Sequence, residues 1–183
     1  MNKLGLLTLI YLSSTAMVSA SEFLVTSPQI KAGDNIVNEQ VFNGFGCQGG
    51  NISPSLHWKN PPTGTKSFAV TVYDPDAPTG SGWWHWVAFN IPADVRSLPE
   101  GAGSSENKRM PMGSIQSRTD FGKPGYGGPC PPAGDEAHRY KFTVYALKTD
   151  QLPLDESAPA AMVGFYLHQN MLEKAVLEAK YGR

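Results

Sequence analysis

Ser67-Phe68-Ala69-Val70-Thr71-Val72-Tyr73-Asp74-Pro75-Asp76-Ala77-Pro78 is the stretch whose reading decides the fold. Residues 67–73 are β-branched, aromatic or small, with no charge among them, and read as a central strand buried on both faces. Asp74 ends it, because Pro75 has no N–H to extend a ladder. Outward from this strand lie similar short runs at residues 23–26, 55–58, 85–91 and 140–147, separated by Gly, Pro and Asn. The chain's 19 Gly and 15 Pro imply many turns. Short strands with frequent punctuation predict an all-β sandwich.

The C-terminal region reads differently. Residues 160–172 carry Met162, Val163, Tyr166, Leu167, Asn170 and Met171 at amphipathic helical spacing. Residues 174–181 have a helical composition, yet Ala175, Leu177, Ala179 and Tyr181 also alternate as a strand would. Residues 98–132 are rich in Gly, Ser and Pro and lack periodicity. An irregular segment that long inside a compact domain is usually functional or mobile.

At the N-terminus, Lys3 precedes a largely apolar run over residues 4–17, and Val18-Ser19-Ala20 has the small-x-small form of a signal-peptidase site. Residues 1–20 are therefore expected to be a secretory signal cleaved near Ala20, with an apolar core too short to span a bilayer. Residues 21–183 then form one domain, periplasmic or secreted, with no stable membrane insertion. The formal charge of −1 over 183 residues becomes −2 once Lys3 is removed. With no basic run, nucleic acid is not an expected partner. Cys47 and Cys130, an even pair in an exported chain, favour one disulfide over the alternative of two buried free thiols.

Two His-bearing segments hold the chemistry. The first continues from Asp74 through Gly80-Ser81-Gly82-Trp83-Trp84-His85-Trp86. Asp74 lies one hairpin from His85, so an Asp–His pair is expected, with the imidazole drawn towards its charged form. Asp76 is either a support for the site or an ordinary turn cap. The second segment is Gly127-Gly128-Pro129-Cys130-Pro131-Pro132, followed by His138-Arg139-Tyr140. His138 and Tyr140 share one strand face and can bracket a phosphate-sized group with donated hydrogen bonds. Gly128 permits close backbone approach, and Pro131 stiffens the rim. His57 and His168 have no ligand spacing. Asp120-Phe121-Gly122 mimics a kinase tripeptide without its companions and reads as loop.

These motifs in this order resemble the phosphatidylethanolamine-binding protein family. Asn51-Ile52-Ser53-Pro54-Ser55-Leu56, Arg118-Thr119-Asp120-Phe121-Gly122 and Ala161-Met162-Val163-Gly164-Phe165 add to the likeness and point to its exported bacterial branch. The resemblance implies a large central antiparallel sheet flanked by a smaller one, a short C-terminal helix, and residues 174–181 as a final strand. It also implies an anion pocket walled by Asp74, His85, Gly128, Pro131, His138 and Tyr140, with Asp76 supporting. The pocket would hold a small anionic or phosphate-bearing ligand, without a cofactor. Family members modulate kinases, proteases or signalling components, so a protein target is implied, and a homodimer is compatible with this reading. Cys130 departs from the Gly or Ala usual in that segment; bonded to Cys47, it would tie the pocket rim to the loop holding Cys47.

Two functions are weighed: a binding module, and a metal-assisted hydrolase using His85, His138 and Asp74 as ligands. Without an activated nucleophile or a third strong ligand at clear spacing, the binding module is the expectation.

Overall fold

The computed structural model describes residues 21–106 and 108–183. The expected secretory signal at residues 1–20 lies outside the described residues. In chain order the elements are β1 (Leu24–Thr26), β2 (Asn43–Gly44), β3 (Cys47–Gln48), β4 (Leu56–Lys59), β5 (Ser67–Asp74), β6 (Trp83–Pro92), β7 (Ser97–Leu98), β8 (Ile115–Gln116), β9 (His138–Leu147), α1 (Ala160–Asn170) and β10 (Met171–Tyr181).

The larger sheet has the order β10-β9-β5-β6-β8, with all pairs antiparallel. The smaller sheet is β1-β4-β7, and β2-β3 is a separate hairpin. β5 therefore sits in the middle of the large sheet, as its apolar run requires. One of its faces contributes Phe68, Val70 and Val72 to a core shared with Val25, Leu56, Trp58 and Leu98 of the smaller sheet. The other contributes Ala69 to a second cluster with Val87, Phe89, Tyr145, Val163 and Leu167, which α1 covers. Burial on both faces explains why this strand shows no polar alternation.

The predicted helix is shorter than its apolar spacing implied. α1 stops at Asn170, and Met171 is already extended, opposite Leu147 of β9. Ladder bonds to β9 outweigh the helical spacing of the last residues. β10 then pairs along the length of β9, from Met171 to Tyr181, so the ambiguous tail is a strand. Ala175, Leu177 and Ala179 form its buried face.

Two irregularities in β6 shape the end of the sheet. Phe68 pairs with Ile91 but Val70 with Ala88, so β6 carries an extra residue there, and Asn90 in this bulge has φ 56°. Val72 pairs with Trp86 but Tyr73 with Trp84, which makes His85 the extra residue of a second bulge. A bulge frees a side chain from the alternation of the pleat and re-aims it. Among the described residues no helix is long and apolar enough to cross a membrane.

Candidate functional site

The ends of β5, β6 and β9 meet at one rim of the large sheet, around a cavity of about 200 Å3. Asp74, His85, Pro131, His138 and Tyr140 all line it. Three strands legible in the sequence thus bring four of the expected polar side chains together.

Asp74, the last residue of β5, is almost fully buried. Its Oδ1 accepts N–H bonds from Asp76 (2.8 Å) and Ala77 (3.1 Å), and its Oδ2 accepts one from His138 Nδ1 (2.8 Å). The expected Asp74–His85 pair is therefore an Asp74–His138 pair. The cause is register: β5 and β9 pair at Tyr73 and Lys141, which brings the next residues on the pocket face of β9 beside Asp74.

His85, turned by the bulge, instead donates from Nδ1 to the carbonyl of Gly127 at 2.7 Å. Gly127 N–H donates back to the His85 carbonyl at 2.8 Å, so the pair is locked on both sides. Phe121 and Tyr140 meet the ring edge-on at 5.3 and 5.2 Å. Burial pushes the His85 pKa down to about 4; the Gly127 carbonyl and the Asp74 carboxylate oppose this but do not win. The expectation of a charged His85 near neutrality is corrected accordingly: desolvation exceeds the carboxylate's pull.

A measurable pH dependence results. In the unfolded chain the imidazole protonates near pH 6.5, whereas in the folded protein it stays neutral until about 4. The associated stability is complete above about 6.5 and is lost as pH falls between those values, by about 3 kcal/mol in all. In denaturant titrations at pH 7 and pH 4, the wild type is expected to lose about 3 kcal/mol more than His85→Gln. Equal losses would show that His85 is not the group responsible.

Tyr140 is fully buried, and its hydroxyl has no hydrogen-bond partner among the described residues. Burial, with the Asp74 carboxylate adding to it, pushes the phenol's ionisation up, so it remains a neutral donor. A buried polar group left unpaired is uncommon, and at the wall of a cavity it is positioned for a ligand.

Gly128 and Asp76 take other places. Gly128 does not face the cavity; its N–H donates to Asn51 Oδ1 at 2.8 Å and its Cα is pressed against the backbone of Gln40–Phe42. Asp76 turns away from the cavity and grips Arg139, with Nη2 at 2.6 Å and Nε at 2.9 Å, and it also accepts the Arg139 backbone N–H at 2.8 Å. The Arg139 guanidinium holds its carboxyl down at about 2. His57 and His168 are exposed and away from the site.

The rest of the wall is aromatic and apolar. Phe45, Trp83 and Phe121 join Pro131, Pro132 and Cys130 at the mouth. Phe121 is the hub, with ring centroids 4.6 Å from Phe42, 5.9 Å from Phe45 and 5.5 Å from Trp83. Asp120 anchors this loop by accepting the Trp84 N–H at 2.7 Å. The tripeptide expected to be plain loop thus supplies a wall of the cavity. Phe45 escapes a reading of the sequence too; the signal for it is an aromatic embedded in Gly44-Phe45-Gly46 just ahead of Cys47.

Cys47 and Cys130 form a disulfide, with Cα atoms 6.0 Å apart. It ties the β2–β3 hairpin, whose tip is Phe45, to the proline-rich wall. Arg183 makes a second tie, donating from Nε to Pro131 O at 2.7 Å and from Nη2 to Phe45 O at 3.2 Å. Among the described residues no group of three or more His, Cys, Asp or Glu is arranged to hold a metal. His85 and His138 hydrogen-bond through their Nδ1 atoms to Gly127 and Asp74.

Comparison with known proteins agrees with this architecture. The family model described as phosphatidylethanolamine-binding protein matches residues 26–182. YbcL of Escherichia coli strain K12 is 53% identical over 167 residues, 91% of each chain, and YbhB of the same organism is 55% identical over 155 residues, 85% of this chain and 97% of that one. The crystal structure of YbcL superposes with a TM-score of 0.88, covering 89% of this chain and 99% of that one. A family model spanning nearly all the described residues, with relatives above half identity and the same fold, leaves one conclusion: the chain belongs to the phosphatidylethanolamine-binding protein family.

Proposed function

We propose that this chain is an exported binding protein whose pocket takes a small phosphate-like anion, and that occupancy of the pocket modulates a protein partner. The observation that carries the reading is the buried, unpartnered Tyr140 hydroxyl at a cavity where Asp74, His85 and His138 also converge. Export rests on the Lys3–Ala20 pattern and is in keeping with the Cys47–Cys130 bond, since disulfides persist in oxidising compartments. Action by binding rather than turnover rests on the sequence, which places no serine or cysteine in an activated-nucleophile motif. The Cys130 sulfur, although in the wall, is consumed in the disulfide.

Titration with phosphoethanolamine should move the ring resonances of His85 and His138. Tyr140→Phe removes one donor and is expected to weaken binding about tenfold, near 1.4 kcal/mol, with little change in stability. Ring resonances that stay still at millimolar ligand would overturn the pocket's role. Mass analysis of protein recovered from a periplasmic extract should find a chain beginning at Ser21.

A further inference from the structure

We infer that the pocket takes its phosphate-like ligand as the singly charged, protonated species, so that binding near neutral pH draws a proton from solution. This rests on the reading just proposed, that the pocket binds such a group.

Donors, acceptors and charges in the cavity wall select the species. A fully ionised phosphate monoester offers acceptors only and carries two negative charges. In the wall, the Tyr140 hydroxyl makes no hydrogen bond of good geometry among the described residues, and the Asp74 carboxylate is the acceptor that acts on it. Thr79 spends its hydroxyl proton on the carbonyl of Gly82. His85 gives its Nδ1–H to a carbonyl, which can only accept, so in the neutral ring Nε2 is an acceptor. Burial keeps that ring neutral. Asp74 presents a carboxylate whose oxygens accept three N–H bonds, the pattern of an ionised group.

The charged and titratable neighbours do not reverse the balance. His138 stands between two carboxylates, with Nδ1 on Asp74 and Nε2 3.7 Å from Asp135, so any charge it carries is already faced twice over. Asp120, in the Phe121 loop, adds a further negative charge felt by His85. The Tyr126 and Tyr181 phenols act on Tyr140 from the 98–132 segment and from β10. Asp76 and Arg139 neutralise each other outside the cavity. Arg183, the guanidinium at the rim, directs its N–H groups to the carbonyls of Pro131, Phe45 and Gly46. A dianion would therefore enter a small, mostly apolar cavity whose buried polar wall sets the His85 acceptor and the Asp74 carboxylate against it beside the Tyr140 hydroxyl. A protonated phosphate fits that wall: its P–OH donates to His85 Nε2 and one of its oxygens accepts from Tyr140.

The test is calorimetry of the mature protein with methyl phosphate and methyl sulfate at pH 7 and pH 8, in buffers of different ionisation enthalpy. A phosphate monoester loses its second proton near about 6, so its monoanion fraction falls about tenfold from pH 7 to 8. Affinity for total methyl phosphate should fall about tenfold with it, with about one proton taken up per ligand bound. Methyl sulfate has a single charge and no proton to donate; leaving the His85 acceptor unpaired, it should bind roughly 30-fold more weakly than the methyl phosphate monoanion, which is about threefold more weakly than total methyl phosphate at pH 7, and without pH dependence. Methyl phosphate affinity that is flat in pH with no proton uptake, or methyl sulfate that binds as tightly as the methyl phosphate monoanion, overturns the inference and leaves the binding reading standing. Methyl sulfate with the same tenfold decline would place the proton on His138 and also overturn it. His85 and His138 resonances unmoved by either ligand at millimolar concentration would remove the binding reading itself.

Discussion

Replacing Cys47 and Cys130 together by serine is expected to lower the stability of this protein by about 4.5 kcal/mol. The bond joins residues 83 apart in sequence. In the chain-entropy account, cross-linking removes loop-closure freedom from the unfolded chain as the logarithm of that separation, which gives this figure at 25 °C. For a domain of this size the melting temperature should fall by roughly 10–18 °C. Both cysteines are changed at once so that no lone thiol is left in the cavity wall. Denaturant unfolding of the oxidised wild type, the reduced wild type and the double variant checks the prediction. The last two should coincide, and a loss below about 1 kcal/mol would mean that the unfolded chain is already compact around these two loops.

Gly128→Ala is expected to cost about 4 kcal/mol, at the extreme of single substitutions. A Cβ at this position would lie 2.0 Å from Gln40 O, 2.6 Å from Phe42 N and 2.7 Å from Val41 C. These are backbone atoms on a segment pinned by its own bonds: Phe42 N–H donates to Pro129 O, and Asn51 N–H to Val41 O. No side chain can swing aside, so either the 126–132 wall or the 40–42 segment must retreat. Gly80→Ala is the matched control, because nothing lies within 4 Å of its Cβ, and it should change stability by less than about 0.5 kcal/mol. A thermal melt of both variants decides the matter; similar melting temperatures would show that the close approach at Gly128 is relaxed at little cost. Gly128 thus belongs to the site by supporting the wall that carries Pro131, rather than by forming the wall itself.

What could be read in advance follows the range of the forces involved. The central strand, its neighbours and the C-terminal helix were legible because burial acts on every second residue or every turn and leaves a pattern along one chain. The order of β5 and β9 was not, and with it went the choice of partner for Asp74, since His85 and His138 are equally eligible until register is known. The bulge at His85 is a mismatch between two strands and leaves no mark on either alone. The same holds for β2, β3, β7 and β8, each two residues long and defined only by what lies opposite. Asp76 stands near Asp74 in sequence, which suggests a shared task, but Arg139 lies on the opposite strand face from His138 and draws it outward. Phe121 sits in a recognisable motif, yet an aromatic in a loop shows its use only when four other rings, His85 among them, gather round it.

The hydrogen bond between Asp74 and His138 spans 64 residues. Closing a loop that long costs more chain entropy than closing the β5–β6 hairpin. A chain that emerges N-terminus first can therefore complete that hairpin and still have no floor to its cavity, since His138 and Tyr140 arrive near the end. The cavity is a property of the finished chain: a species that lacks β9 lacks His138 and Tyr140, and with them part of the wall.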